Sequence, residues 1–200
     1  MIQHNVTQNS EQWDALRRGK FTASSFADLF ASKSTAQYEK AIFKVAYERI
    51  TGESPESFTN EYMERGHEFE PLARDAYEVD TFNIVDDGGF FELNEWVGCS
   101  PDGLIGSDGL IEIKCPAYNT FIRYINAGKL PSTYFYQVHG QMYVTGRKWV
   151  DFVAYHPPFK PFIIRIERDE AVCAQIEQKL NESIEEAKRI IEKLNQFKTK

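Results

Sequence analysis

Residues Ser100–Lys114, SPDGLIGSDGLIEIK, set Asp102 on a Pro-Asp-Gly turn and place Glu112 and Lys114 two apart in an alternating apolar run. Strand side chains alternate with period two, so Glu112 and Lys114 share one face while Ile111 and Ile113 point into a core. The order is Asp102, then Glu112, then Lys114, the pattern D-x9-E-x-K. Two acids and an amine on one edge can hold a hard divalent cation and activate a water beside it, a plan suited to phosphodiester hydrolysis. The same residue types also occur in ordinary turns and on solvated strand faces. The surrounding sequence therefore has to decide between the two.

Outward from this stretch, the chain alternates helices and strands. Ser10 caps a short helix, and Thr22-Ala23-Ser24-Ser25 opens a second that runs to about Phe30. Residues 35–51 carry Ala41, Ile42, Val45, Ala46 and Ile50 at helical spacing, with Gly52 as the stop. A further helix is expected over 60–78, kinked or restarted at Pro71, which lacks an N–H. Residues 89–93, 95–99 and 110–114 read as a meander of strands. Helices over 119–127 and 133–146 follow, then strands over 148–155 and 161–168. A long amphipathic helix over 169–197 closes the chain. The expectation is one α/β domain over 1–200, a mixed sheet between helices with the Asp-Glu-Lys edge at its middle.

The 200 residues carry 30 acids against 23 bases, a net charge of −7. That balance argues against a protein that coats DNA nonspecifically, though not against a DNA enzyme whose local positive charge comes from a metal and a few placed bases. Cys99, Cys115 and Cys173 are an odd set without C-x2-C spacing, which points to reduced thiols in a cytoplasmic protein rather than a disulfide or zinc framework. No apolar run is long enough to span a membrane, and no secretion signal is visible.

Three more segments look chemical: Trp13-Asp14-Ala15-Leu16-Arg17-Arg18-Gly19 before Phe21-Thr22-Ala23-Ser24, Gly66-His67-Glu68-Phe69-Glu70, and Gln137-Val138-His139-Gly140-Gln141-Met142-Tyr143-Val144-Thr145-Gly146. With SPDG and Glu112-Ile113-Lys114-Cys115-Pro116, they follow in an order that resembles the phage lambda exonuclease and YqaJ-like viral recombinase family. That family lies within the restriction-endonuclease-like PD-(D/E)XK superfamily. The resemblance runs from Trp13 to about Glu170.

It implies a restriction-endonuclease-like core and a Mg2+-dependent 5′→3′ exonuclease, with Mn2+ as a substitute ion. Such an enzyme acts on double-stranded DNA ends and leaves 3′ single-stranded tails. By this resemblance Asp102, Glu112, Glu70 and the Ile113 carbonyl are the metal ligands, with Glu68 a rival to Glu70. Lys114 is the catalytic lysine and Gln137 stands beside the active site. Arg17 and Ser24 bind a terminal 5′-phosphate, and Met63 is a wedge that parts the terminal base pair. A homotrimeric ring, a single-strand annealing protein as partner, and a bacterial cytoplasm as setting for a phage or prophage enzyme are implied as well. The segment Ser32–Gln37, where the family can place an arginine reading the groove, offers only Lys33. Two other readings remain: a related endonuclease or repair nuclease without 5′-end preference, and a non-catalytic DNA-binding protein on the same fold.

Overall fold

The computed structural model of the chain describes residues 1–55 and 61–198, and for 61–64 and 67 the backbone alone. In chain order the elements are β1 (Ile2–His4), α1 (Glu11–Arg17), β2 (Phe21–Thr22), a 3-10 turn (Ala23–Ser25), α2 (Phe26–Leu29), α3 (Ala36–Thr51) and α4 (Glu61–Thr81). Then come β3 (Val85–Asp86), β4 (Phe90–Asn94), β5 (Val97–Cys99), β6 (Gly103–Ile105) and β7 (Gly109–Lys114). The rest is α5 (Tyr118–Ala127), a 3-10 turn (Ser132–Tyr134), α6 (Phe135–Thr145), β8 (Trp149–Ala154), β9 (Phe162–Glu167) and α7 (Glu170–Asn195).

Helix ends follow their capping chemistry. The Ser10 hydroxyl accepts the Trp13 N–H at 3.2 Å, and Asp169 Oδ1 accepts those of Ala171 and Val172 at 2.8 and 3.2 Å. α3 stops at Gly52, whose φ of 74° lies in the left-handed region. α4 runs through Pro71 as one continuous helix. An interior proline costs about 3 kcal/mol. Burial of Ala73 and Tyr77, four apart on the face beyond it, offsets that cost.

The strands form two sheets, ordered β1-β4-β5-β2 and β3-β6-β7-β8-β9. The expected meander is therefore split: β4 and β5 pair antiparallel in the first sheet, while β7 pairs with β6 and β8 in the second. The Ser100-Pro101-Asp102 turn crosses the seam between them. It is fastened from the N-terminal segment, since Gln8 donates to the Pro101 carbonyl at 3.1 Å and the Trp13 indole donates to Ser100 Oγ at 2.7 Å.

β7 and β8 are parallel, joined by a crossover through α5 and α6. Parallel strands are covered on both faces, and β7 is buried from Gly109 to Ile113. Leu110 packs with Val138 and Met142 of α6, while Ile111 and Ile113 pack with Ala73 and Tyr77 of α4. Glu112 and Lys114 thus point toward the α6 layer rather than into open solvent.

Candidate active site

β7 presents its polar residues where its ladder with β6 runs out. The last pair of that ladder is Gly103 with Ile111. One step beyond it, the Asp102 N–H donates to the Ile111 carbonyl at 3.2 Å, and Asp102 Oδ2 accepts the Ile113 N–H at 2.7 Å. The side chain of Asp102 thereby continues the sheet where the backbone of β6 has turned away. In a strand the N–H and C=O of one residue point to the same side, so the Ile113 carbonyl faces the edge that Asp102 occupies.

Glu112 is 1% exposed, and a buried carboxylate is tolerated only with partners. Gln137 donates to its Oε1 and Gln141 to its Oε2, each at 2.5 Å, and Lys114 forms an ion pair with Oε1. The Lys114 ammonium also lies 5.5 Å from the Tyr134 ring centre. Its burial acts to lower the ammonium pKa, and Glu112 and Asp102 more than reverse that effect, so the group stays charged. Burial pushes the Asp102 carboxyl well above the usual carboxylate range; Glu112 and Glu70 push it further, against Lys114 and the Ile113 N–H.

A cleft of about 470 Å³ opens onto Asp102 and Lys114, lined also by Glu70, Ile113 and Tyr134 among others. A second, of about 440 Å³, reaches Glu70 and Asp102 from the side of Asn5 to Gln8. Glu70 lines both clefts, whereas Glu68 is exposed. Met63 belongs to α4, but its side chain lies outside the described residues.

The two residues expected at a phosphate sit on the neighbouring layer. Arg17 ends α1 with its guanidinium 3.9 Å from the Trp13 ring centre. Burial lowers its pKa, while Asp14 and Glu48 act to restore it. Ser24 is exposed in the 3-10 turn, its Oγ 3.2 Å from Thr22 Oγ1. That turn packs tightly on α6: a Cβ at Gly140 would stand 2.4 Å from Phe26 and 3.4 Å from the Ala23 Cβ. The helix holding Glu112 is thus the one against which Ser24's turn rests. Cys99 lies between the two regions; burial raises its thiol pKa, Glu112 raises it further and Arg17 acts against them.

Gln141 belongs to the same sequence motif as Gln137, but the resemblance assigns it no role; its position one helical turn beyond places both amides on one face. His139 points elsewhere, packing 4.6 Å from the Phe135 ring, and burial lowers its pKa. Among the described residues, no three His, Cys, Asp or Glu side chains are gathered closely enough to hold a metal by themselves. Asp102 and Glu112 with the Ile113 carbonyl still form an all-oxygen donor set, and the raised Asp102 carboxyl would give up its proton to a cation. This fits a hard cation that keeps several of its waters.

A model of the YqaJ-like viral recombinase domain matches residues 12–148. An alkaline exonuclease from Laribacter hongkongensis is 39% identical, with a TM-score of 0.87 over 94% of this chain and 97% of that one; its structure in complex with dAMP gives the same values. A phage related exonuclease from Haemophilus somnus 129PT, at 18% identity, shares the fold with a TM-score of 0.66 over 88% of this chain and 96% of that one. No curated protein matches the chain. The domain model covers well over half of the residues and takes in Arg17, Glu70, Asp102, Glu112, Lys114 and Gln137: the chain belongs to the YqaJ-like viral recombinase family.

Proposed function

We propose that this chain is a metal-dependent exonuclease that digests one strand of linear double-stranded DNA in the 5′→3′ direction. It starts from 5′-phosphorylated ends and leaves 3′ tails for recombination by strand annealing. The observation that carries this reading is the convergence of Asp102, Glu112 and Lys114 on one strand edge, with Glu70 lining the same cleft. The alkaline exonuclease likeness supports the reaction class.

Asp102, Glu112, the Ile113 carbonyl and Glu70 would hold the ion, Mg2+ with Mn2+ as a substitute. When bound, a divalent ion supplies Lewis-acid polarisation of the phosphate and a water of lowered pKa. Gln137 and Gln141 fix the Glu112 carboxylate before any ion arrives. Lys114 orients the attacking water and counters charge gathering on the phosphate. Arg17 offers a two-pronged guanidinium to the new terminal phosphate, and Ser24 a hydroxyl. Met63 is the candidate wedge. A homotrimeric ring around DNA, an annealing protein as partner and a bacterial cytoplasm as setting complete the reading, with residues 1–200 acting as one nuclease domain.

The test uses linear duplex DNA labelled at either end, with and without a 5′-phosphate, in Mg2+. EDTA and Lys114→Ala serve as controls. Mononucleotides released only from the 5′-phosphorylated strand, and lost in both controls, are expected. Internal cuts in circular DNA would replace this reading with an endonuclease, and no cleavage in Mg2+ or Mn2+ would leave a structural edge.

A further inference from the structure

An acidic chain has to meet a polyanion somewhere, and its charges are unevenly placed. No Asp or Glu occurs between Glu112 and Asp151, a run holding Lys114, Arg123, Lys129, Arg147 and Lys148. α5 begins shortly after the cleft's lysine. Its inner side, with Thr120 and Tyr124, forms a wall of the cleft, and Phe121 is buried. Its outer side is apolar and, among the described residues, exposed: Tyr118, Ile122 and Ile125, spaced i, i+4, i+7, are 66, 47 and 47% exposed. Arg123 is exposed on the same helix, and Lys129 just past its end at Gly128. Beside it Phe159, 55% exposed, stacks on Phe121 at 5.9 Å. An isolated exposed apolar residue is ordinary, but a contiguous stripe rimmed by cations is not.

We propose that the outer face of α5 is a docking platform for unpaired DNA, the single strand present where the duplex is opened at the cleft. The proposal rests on the nuclease reading above. The occupant follows from two features together. The exposed Arg123 and Lys129 complement a phosphate backbone. The Tyr118, Ile122, Ile125 and Phe159 side chains suit exposed bases, which an intact duplex keeps stacked inside. Binding there holds the strand beside the cleft wall without any change in the residues that cut.

The test measures DNA binding by fluorescence anisotropy in the full chain carrying Lys114→Ala, on a blunt duplex and on one with a 3′ single-stranded tail. Combining Tyr118→Ser, Ile122→Ser and Ile125→Ser should weaken the tailed substrate about tenfold and leave the blunt one little changed. Combining Arg123→Gln with Lys129→Gln should flatten the dependence of log affinity on log salt by roughly 0.7 for each phosphate that is no longer neutralised. Unchanged binding of the tailed substrate, or equal weakening of both, overturns the proposal. A shift in oligomeric state on a sizing column with DNA binding intact overturns it too, and assigns the face to a protein partner. Cleavage by the wild-type chain is assayed in parallel: its absence sinks the nuclease reading, whereas normal cleavage with unaffected variants sinks only the platform.

Discussion

Gln141 donates its side-chain amide to Glu112 Oε2 at 2.5 Å, one helical turn beyond Gln137, which holds the other oxygen at the same distance. The contact is deep, with both Gln141 and Glu112 1% exposed. Removing one donor leaves part of a buried charge without a partner, a loss of about 1.5–3 kcal/mol for a hydrogen bond to a charged group. Gln141→Met should therefore lower thermal stability and slow cleavage more than it changes the apparent affinity for DNA. Melting curves and single-turnover rates check both. An unchanged rate would make Gln141 a packing residue only.

Asp102 carries a pH prediction. Its carboxyl is raised in the folded chain by burial and by Glu112. The folded state therefore keeps that proton longer than the unfolded chain, whose aspartates titrate near about 3.9. Its contribution to stability is present at low pH and is lost as pH rises through the raised value. In EDTA, the melting temperature of the wild type should fall more between about pH 5 and 8 than that of Asp102→Asn. Adding Mg2+ should reverse the fall in the wild type alone. A variant that melts lower than the wild type throughout, with the same slope, would contradict this.

Arg17 is held against Trp13 at 3.9 Å, so its planar group is aimed as well as charged. Arg17→Lys keeps the charge and gives up the fork and the stack. Both Arg17→Lys and Arg17→Ala should reduce the preference for 5′-phosphorylated ends roughly tenfold or more, on the scale of one charge-assisted hydrogen bond. The ratio of initial rates on phosphorylated and unphosphorylated duplexes measures it. If that ratio does not move, the terminal phosphate is held elsewhere.

Gly140 tests the packing between layers. A methyl there would meet Phe26 at 2.4 Å. Gly140→Ala should cost about 1–3 kcal/mol by overpacking, seen in urea unfolding. Because it also displaces the turn bearing Ser24, it should disturb the 5′-phosphate preference although Gly140 touches neither ion nor DNA.

The spacing of Asp102, Glu112 and Lys114 was legible because alternation along a strand is a local property. The C-terminal end of α3 was legible for the same reason, through Gly52. The rest depends on distant partners. β2 and β3 have two residues each and exist only through their pairing with β5 and β6, so no periodicity announces them. The burial of Glu112 needed the α5–α6 crossover, which covers the face that alternation alone leaves open. Pro71 suggested a break, and the helix continued because Tyr77 is anchored by a 2.6 Å hydrogen bond to Asp151, itself paired with Arg165. Gln141 stood in the same motif as Gln137, but its role shows only when both amides are seen on Glu112.

The bonding of Glu112 decides who moves. Both of its oxygens are committed to amides from a single rigid helix and to a lysine from its own strand. Such a carboxylate cannot swing out to meet an arriving cation. It serves as a fixed datum, and adjustment falls to whatever is less restrained: the lysine ammonium, the hydration shell of the ion, and the incoming phosphate.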